Sequence, residues 1–509
     1  MNVMGGVRSV MTTSGAVSGT LAAPGVTVFR GIPFAASTAG SRRWRPPAPP
    51  TPWEGVRSCA EFGPVCPQTN NTADWPMSED CLNLNVWTPD PSPNAHLPNG
   101  EGLLPVLVWI FGGRFVWGAG RDPQFDGAAM AAKGMVVVTI NYRLGVFGWL
   151  TTPELDAEAA SSTSGNFGLL DQIAALRWVQ ANIAGFGGDP ARVTIAGQSA
   201  GAASVMLLAH SPLARGLFRG VIALSGASHP GDPGLWFRAG SYRDMPTAQQ
   251  QGAEYLAAHG AASIQDARGL PAEDLLPGND ADDPTVPGPH RPPLFRPVLD
   301  GFVIPSPYNE TLTAGAQGDV AVMTGTVKDE DGASPHPSIT VRQFRANARR
   351  EYAGLADEFL ALYPAATNAE AAVMSNQAAN DLSRVSTYLW AQLWRRHSGN
   401  PVFTYFWTHT PPGPNADRDG AFHGGEIWYF LDSLSADASC GRPFADDDRR
   451  IAKATSDCVA RFVATGKPGA WAEASQTTME LGDHFGPIPV ATPARFDLHR
   501  RFLERRPQR

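Results

Sequence analysis

The sequence lacks any long uninterrupted apolar run and carries little excess charge. No apolar stretch approaches the ~18–20 residues that a membrane-spanning helix needs, and residues 1–17 lack the compact apolar core of a signal peptide. The formal net charge is −8 over 509 residues, without the clustered cations that phosphate binding requires. We therefore predict a cytoplasmic protein, or a secreted one if a leader has been removed, whose partners include neither a membrane nor a nucleic acid.

Cysteines and metal-ligand motifs are also scarce. The five cysteines are an odd number, so at least one has no intramolecular partner. Cys66 and Cys81 bracket a loop rich in Asn, Thr and Pro and are a candidate disulfide pair, and Cys440 and Cys458 are a second candidate pair. The alternative is that all five cysteines are thiols, as in a reducing cytosol. No His-x-x-x-His or Cys-x-x-Cys spacing and no P-loop lysine occurs, so we predict no metal and no cofactor.

Strand-like and helix-like segments alternate from about residue 100 onward. Leu104 to Phe111 and residues 134–140 are apolar on both faces, as in buried parallel strands. Helical spacing covers Leu169 to Phe186 and Ala202 to His210. Further strands are predicted at residues 26–31, 192–196, 220–224, 319–324 and 401–407. This alternation predicts an α/β fold with a mainly parallel central sheet and helices on both faces.

No internal repeat or composition break divides the chain. We predict one domain over residues 1–509, in which residues 1–100 form a small sheet and a disulfide-type loop and residues 338–509 form a largely helical region. Residues 278–297, rich in Pro and Asp, are predicted to form a loop near a functional site. A monomer or a homodimer is expected.

The strongest functional motif is Gly197-Gln198-Ser199-Ala200-Gly201. It follows an apolar strand and precedes an Ala-rich helix, which predicts a tight strand-to-helix turn with Ser199 at its apex. Glycine at both ends lets strand and helix approach closely, and the helix N-terminus would direct free N–H groups toward a developing oxyanion. These features predict a nucleophilic serine.

A serine nucleophile needs a base and a carboxylate that orients the base. His423 is the one downstream histidine in a glycine-flanked loop after a late strand. Asp329, Glu330 and Asp331 follow an earlier strand and are the candidate acids. The three adjacent carboxylates are chemically alike, and this reasoning leaves the choice among them open.

Several ordered motifs resemble the type-B carboxylesterases, the cholinesterase-like branch of the α/β-hydrolases that includes bacterial para-nitrobenzyl esterases. The resemblance runs from Val26 to about Pro468. The motifs that carry it are residues 29–35 (FRGIPFA), 78–87 (SEDCLNLNVW), 141–145 (NYRLG), 186–190 (FGGDP), the serine motif and 423–427 (HGGEI). It implies an α/β-hydrolase fold and a serine esterase that cleaves small-molecule esters through an acyl-enzyme.

The resemblance also implies roles for individual residues. Ser199 would be the nucleophile, His423 the base and Glu330 the acid, although Asp331 replaces a glycine of the family pattern and stays an alternative acid. Ser225 and Glu426 match positions behind the histidine. The family's N-terminal disulfide matches Cys66 and Cys81.

The oxyanion loop departs from the family pattern because it reads Phe111-Gly112-Gly113-Arg114-Phe115. The donors implied by the resemblance are the backbone N–H groups of Gly113, Arg114 and Ala200. The Arg114 side chain either contacts an anionic substrate group or turns away into a salt bridge.

Two other functions remain as alternatives to ester hydrolysis. The same serine, histidine and acid could cleave a carbamate or an amide. A non-catalytic cholinesterase-like binding protein is the second alternative, although such proteins generally lose the serine or the histidine.

Overall fold

A computed structural model gives the fold and describes residues 8–89, 102–235, 241–286, 291–330, 339–437, 440–471 and 476–506. The strands are β1 Ser9–Thr12, β2 Gly15–Ser18, β3 Thr20–Ala23, β4 Val26–Pro33, β5 Val56–Ser58, β6 Asn83–Pro89, β7 Leu104–Ile110, β8 Val136–Ile140, β9 Gly188–Gln198, β10 Gly220–Leu224, β11 Arg243–Asp244, β12 Val298–Leu299, β13 Ala321–Val327, β14 Val402–Trp407, β15 Thr477–Leu481 and β16 Gly486–Pro489. The helices are α1 Ala128–Ala132, α2 Gly145–Trp149, α3 Pro153–Glu158, α4 Phe167–Asn182, α5 Ala200–His210, α6 Met245–Ala258, α7 Ile264–Gly269, α8 Tyr308–Ala314, α9 Val341–Tyr352, α10 Ala356–Leu362, α11 Asn368–Arg395, α12 Ala416–Asp419, α13 Ile427–Phe430, α14 Asp446–Thr465 and α15 Pro493–Arg505.

A sheet of eleven strands forms the centre of the molecule, in the order β16-β15-β14-β13-β10-β9-β7-β8-β6-β4-β3. The seven strands from β15 to β8 pair in parallel, whereas both ends of the sheet are antiparallel. Parallel strands need crossover connections, and the helices between them supply these. The predicted α/β fold with a mainly parallel sheet is confirmed.

The central strands are buried on both faces because helices surround the sheet. Every residue of β7, β8, β10 and β13 is buried. The sequence of these strands is correspondingly apolar without alternation, as parallel strands covered on two sides require. Helix α5 packs against β9 and β10, and α11 packs against β13 and β14.

Both ends of the sheet contain strands that the sequence did not predict. In the N-terminal region, the predicted strand β4 joins the central sheet together with the unpredicted strands β3 and β6, while β1, β2 and β5 form a separate three-stranded sheet. At the other end, β15 and β16 extend the sheet beyond β14. The C-terminal helices α9, α10, α11 and α15 enclose a second apolar cluster that includes Phe344, Phe359, Val385 and Phe502.

Among the described residues, no helix is both long and apolar enough to cross a bilayer.

Candidate active site

Ser199 occupies the turn between β9 and α5. Its backbone has φ 58° and ψ −123°, a conformation that non-glycine residues rarely adopt and that costs of order 1–3 kcal/mol. The Ser199 N–H donates to the Leu224 carbonyl of β10 at 3.1 Å, and the Ser199 carbonyl accepts from Ala203 N–H at 2.8 Å. These bonds hold the strained turn, and Ser199 is partly exposed at its apex.

Three glycines allow the backbone segments around Ser199 to pack closely. A Cβ at Gly201 would lie 2.1 Å from the Ile110 carbonyl at the end of β7, and one at Gly197 would lie 2.5 Å from the Gly201 carbonyl carbon. A Cβ at Gly112 would lie 2.5 Å from the Gln198 carbonyl oxygen. Larger residues would push the strand, the helix and the 111–115 loop apart. The predicted tight approach at Gly197 and Gly201 therefore occurs.

The loops after β13 and β14 bring Glu330 and His423 together. His423 Nδ1 lies 2.5 Å from Glu330 Oε2. The other carboxylate oxygen of Glu330 accepts from Ser225 Oγ at 2.7 Å and from Val327 N–H at 3.3 Å. Ser225 follows β10 with φ 57°, and its N–H donates to the Gly325 carbonyl at 2.8 Å. Ser225, predicted to lie behind the histidine, thus donates its hydroxyl hydrogen bond to the acid Glu330.

The neighbouring acid Asp329 has a different role in the structure. Its buried carboxylate accepts from Ala421 N–H at 2.8 Å, and its own N–H donates to the Ala421 carbonyl at 3.1 Å. These two bonds attach the loop that precedes His423 to the end of β13. Asp331, the alternative acid, lies outside the described residues. Of the two described candidates, only Glu330 contacts His423.

Gln198 contacts the opposite side of the histidine ring. Its amide nitrogen lies 3.0 Å from His423 Nε2, and the Gln198 side chain is almost fully buried. An amide N–H is a donor, so Nε2 accepts and the ring proton is on Nδ1, facing Glu330. The serine motif places Gln198 next to Ser199, but the motif carries no signal for the direction of the Gln198 side chain.

Glu426 lies fully buried behind the histidine loop. Burial, followed by repulsion from the Glu330 carboxylate, raises the pKa of Glu426 from an ordinary value of 4.5 to about 8. The carboxyl is therefore mainly neutral at pH 7. A neutral Glu426 avoids a fully buried negative charge beside the Glu330 carboxylate.

The 111–117 loop lies beside the serine turn and has a left-handed backbone at three successive residues. Gly113, Arg114 and Phe115 have φ values of 94°, 55° and 65°. The Gly113 carbonyl accepts from the N–H groups of Val116 and Trp117 at 3.0 and 3.1 Å. The Phe115 carbonyl accepts from Gly145 N–H and from Trp149 Nε1 at 2.8 and 3.0 Å. These bonds fix the backbone around two of the three predicted oxyanion donors, Gly113 and Arg114; the third, Ala200 N–H, begins α5.

The Arg114 side chain forms a salt bridge with Asp282. Its Nη2 also donates to the Arg291 carbonyl at 3.1 Å. Both charged side chains are about half exposed, at 45% and 49%. Of the two predicted possibilities for this guanidinium, the salt bridge is the one observed, and it attaches the predicted 278–297 loop to the 111–117 loop.

The cysteines are thiols in the structure. Cys66 and Cys81 lie side by side, and a hydrogen bond with Cys66, together with burial, raises the pKa of the Cys81 thiol. Cys440 and Cys458 are also free. The disulfide between Cys66 and Cys81 stays a prediction.

Within the described ranges, no group of three or more His, Cys, Asp or Glu side chains is arranged to hold a metal ion.

Comparison with known proteins identifies relatives over nearly the whole chain. A sequence model of the carboxylesterase family matches residues 7–484. The chain is 37% identical to fumonisin B1 esterase of Sphingopyxis macrogoltabida over 83% of its length and 74% of the relative's. It is 32% identical to para-nitrobenzyl esterase of Bacillus subtilis (strain 168) over 90% of each protein. A solved PNB esterase structure superimposes with a TM-score of 0.77 at 29% identity, over 98% of this chain and 100% of that one.

These relatives are named as esterases and share the architecture described above, so they do not favour a non-catalytic binding protein. The chain belongs to the carboxylesterase family, has the α/β-hydrolase fold and is a carboxylic ester hydrolase.

Proposed function

We propose that Ser199 is the nucleophile of ester hydrolysis, His423 the general base and Glu330 the acid that orients the base. The observation that carries this assignment is the pair of contacts on the His423 ring. Glu330 lies on Nδ1 and Gln198, the residue next to Ser199, lies on Nε2. The Nδ1 proton faces Glu330, so the base acts through the lone pair of Nε2, which accepts from the Gln198 amide in the resting structure. The Ser199 hydroxyl takes the place of that amide donor when its proton is transferred.

The reaction follows from this geometry. Ser199 Oγ attacks the ester carbonyl while His423 Nε2 takes its proton, and the Glu330 carboxylate stabilises the imidazolium that forms. The backbone N–H groups of Gly113, Arg114 and Ala200 are the proposed donors to the oxyanion. His423 then protonates the leaving alcohol. Water, activated by the same histidine, releases the acid and restores Ser199.

We propose small neutral esters as substrates. This proposal is supported by the contacts of the Arg114 guanidinium, which binds Asp282 and the Arg291 carbonyl. Because these contacts direct the guanidinium away from the acyl group, it does not favour an anionic substrate. The relatives named para-nitrobenzyl esterase and fumonisin B1 esterase make p-nitrobenzyl and p-nitrophenyl esters suitable first test substrates.

Pre-steady-state kinetics tests the proposed acyl-enzyme. With a p-nitrophenyl ester of a slowly hydrolysed acid, we expect a burst of p-nitrophenol close to one equivalent per enzyme, followed by slower turnover. Ser199→Ala should give no burst, and Ser204→Ala on the same helix should leave the burst intact as the control. A full burst from Ser199→Ala would exclude Ser199 as the nucleophile.

A cytoplasmic location, a single domain and a monomeric or homodimeric state are further parts of the proposal. A reducing compartment would keep Cys66 and Cys81 as the thiols seen in the structure, whereas an oxidising one would allow the disulfide that the family resemblance implies. Thiol titration of the protein from its native host should find five reactive groups after denaturation. A protected Cys66–Cys81 disulfide would contradict the location. Sedimentation equilibrium tests the oligomeric state, and a single unfolding transition by two spectroscopic probes tests the single domain.

A further inference from the structure

A cavity of about 450 Å³ lies between α3, α4 and the segments at residues 44–47 and 300–303. This volume is typical of small-molecule pockets, which range over about 300–1,000 Å³. Ser199, Glu330 and His423 are not among its lining residues. Its walls are mainly apolar and include Leu155, Phe167, Leu170, Ile173, Leu213 and Val303.

The rim of this cavity carries two arginines. Arg177 on α4 is exposed and has no hydrogen bond or ion pair with any residue in the part of the chain that the structure describes. Arg45 is 54% exposed and lies 3.6 Å from Glu158, a separation that gives only a weak ion pair. One rim cation is therefore available for a ligand and the second is loosely held.

Both acidic residues of the lining already have partners within the protein. Glu158 accepts from both terminal nitrogens of Arg268 at 2.9 and 2.8 Å. Asp300 Oδ1 accepts the backbone N–H groups of residues 302, 303 and 304 at 2.8 to 3.1 Å. With Glu158 paired to Arg268, the two rim arginines outnumber the one remaining lining carboxylate, that of Asp300, so the net charge that the cavity offers to a ligand is positive.

The apolar walls and the cations at the rim together favour one class of ligand. A molecule with an apolar body can fill the chamber, and an anionic group at one of its ends can lie beside Arg177 and Arg45 at the rim.

We propose that this cavity binds a monocarboxylate with an apolar tail, at a site separate from Ser199. The tail would occupy the space between α3 and α4, and the carboxylate would lie at the rim near Arg177 and Arg45. Ester hydrolysis releases acids of this class, so a product could occupy the cavity. The proposal goes beyond the proposed function, because binding here requires no particular role for Ser199.

Calorimetric titration with decanoate, below its micelle concentration, tests the proposal. The full-length protein is first treated with an organophosphonate, so that the serine site cannot take up the acid. We expect one decanoate per chain and weaker binding of decyltrimethylammonium, which has the same tail and the opposite charge. No binding, or equal binding of the cation, would overturn the proposal.

Two variants separate the cavity from other sites. Ala160→Trp fills the cavity from an exposed loop position and should abolish decanoate binding with esterase activity unchanged. Arg177→Gln should weaken decanoate about two- to fivefold, as expected for an exposed ion pair. Arg342→Gln, an exposed helical arginine outside the lining, is the matched control and should have no effect.

These experiments distinguish a failure of the cavity proposal from a failure of the proposed nucleophile. Decanoate affinity unchanged by Ala160→Trp would refute the cavity as the binding site. Failure of the phosphonate to label Ser199 would instead refute the proposed nucleophile. In that case the effects of Ala160→Trp and Arg177→Gln on the unlabelled protein still decide whether the cavity binds the acid.

Discussion

Replacing Glu330 with glutamine tests the proposed acid with almost no change in shape. The direction of the new amide follows from the structure. Ser225 Oγ and Val327 N–H both donate to Glu330 Oε1, so the amide carbonyl should occupy that position. The NH₂ group would then face His423 Nδ1 in place of Oε2. A donor at this position forces the ring proton onto Nε2, where the base needs a lone pair.

The expected size of the effect has two parts. Loss of the charge-assisted hydrogen bond to the imidazolium removes about 1.5–3 kcal/mol, or up to about a hundredfold in kcat. The wrong tautomer adds to this, and the analogous acid-to-amide change in a serine protease costs about 10⁴. We expect Glu330→Gln to lower kcat by about 10³–10⁴ with KM little changed. Glu330 and His423 are 20% and 41% exposed, so stability should change by less than about 1 kcal/mol.

The assay is steady-state hydrolysis of a neutral p-nitrophenyl ester at pH 8, with thermal unfolding measured on the same samples. Asp329→Asn is the matched control, because it also removes one carboxylate but keeps an acceptor for Ala421 N–H. Its kcat should stay within about tenfold of wild type, as should that of Asp331→Asn. A Glu330→Gln variant within tenfold of wild type, or a 10³-fold loss in Asp331→Asn, would refute the assignment of the acid.

Three further changes have defined outcomes. Arg114→Gly removes the strain of a left-handed non-glycine residue but also breaks an exposed salt bridge, so the free energy of unfolding should stay within about 1 kcal/mol of wild type. The value of kcat/KM should change equally for acidic and neutral esters. A selective loss on acidic esters would show that Arg114 binds an anion. The pKa of Glu426 is about 8 in the folded protein and 4.5 in the unfolded chain, so between these pH values only the unfolded chain loses the proton. The contribution of Glu426 to the free energy of unfolding should therefore fall as the pH rises through this range, by up to about 1.4 kcal/mol per pH unit. Urea unfolding of Glu426→Gln should lack this slope, and identical slopes would contradict the raised pKa. Asp171→Asn leaves the buried Arg143 without its bidentate partner and should lower the free energy of unfolding, measured in urea, by about 3–5 kcal/mol. A decrease of less than about 1 kcal/mol would be inconsistent with a buried ion pair.

The sequence predicted the features that depend on local pattern. The buried strand β7 is apolar on both faces, and the serine motif lies between a strand and a helix; both were recognisable from neighbouring residues alone. The edge strand β16 was missed because Gly486–Pro489 is short and contains two prolines, a composition that is tolerated only at an unpaired edge.

Contacts between distant parts of the chain were not predictable in the same way. The partner of Arg114 is Asp282, which is 168 residues away, and many exposed acids would have been equally suitable. Asp329 and Glu330 are adjacent acids with the same chemistry, yet they contact Ala421 and His423 respectively. Only the orientation of the loop after β13 distinguishes them, and single-sequence patterns carry no signal for that orientation.

The central claim is that Ser199 carries the covalent intermediate, and mass spectrometry of the phosphonate-treated protein tests it most directly. We predict a single adduct per chain on the peptide that contains Ser199, formed in proportion to the loss of esterase activity, and no adduct on Ser199→Ala. Complete inactivation with Ser199 unmodified, or an adduct at another residue that accounts for the lost activity, would contradict the account.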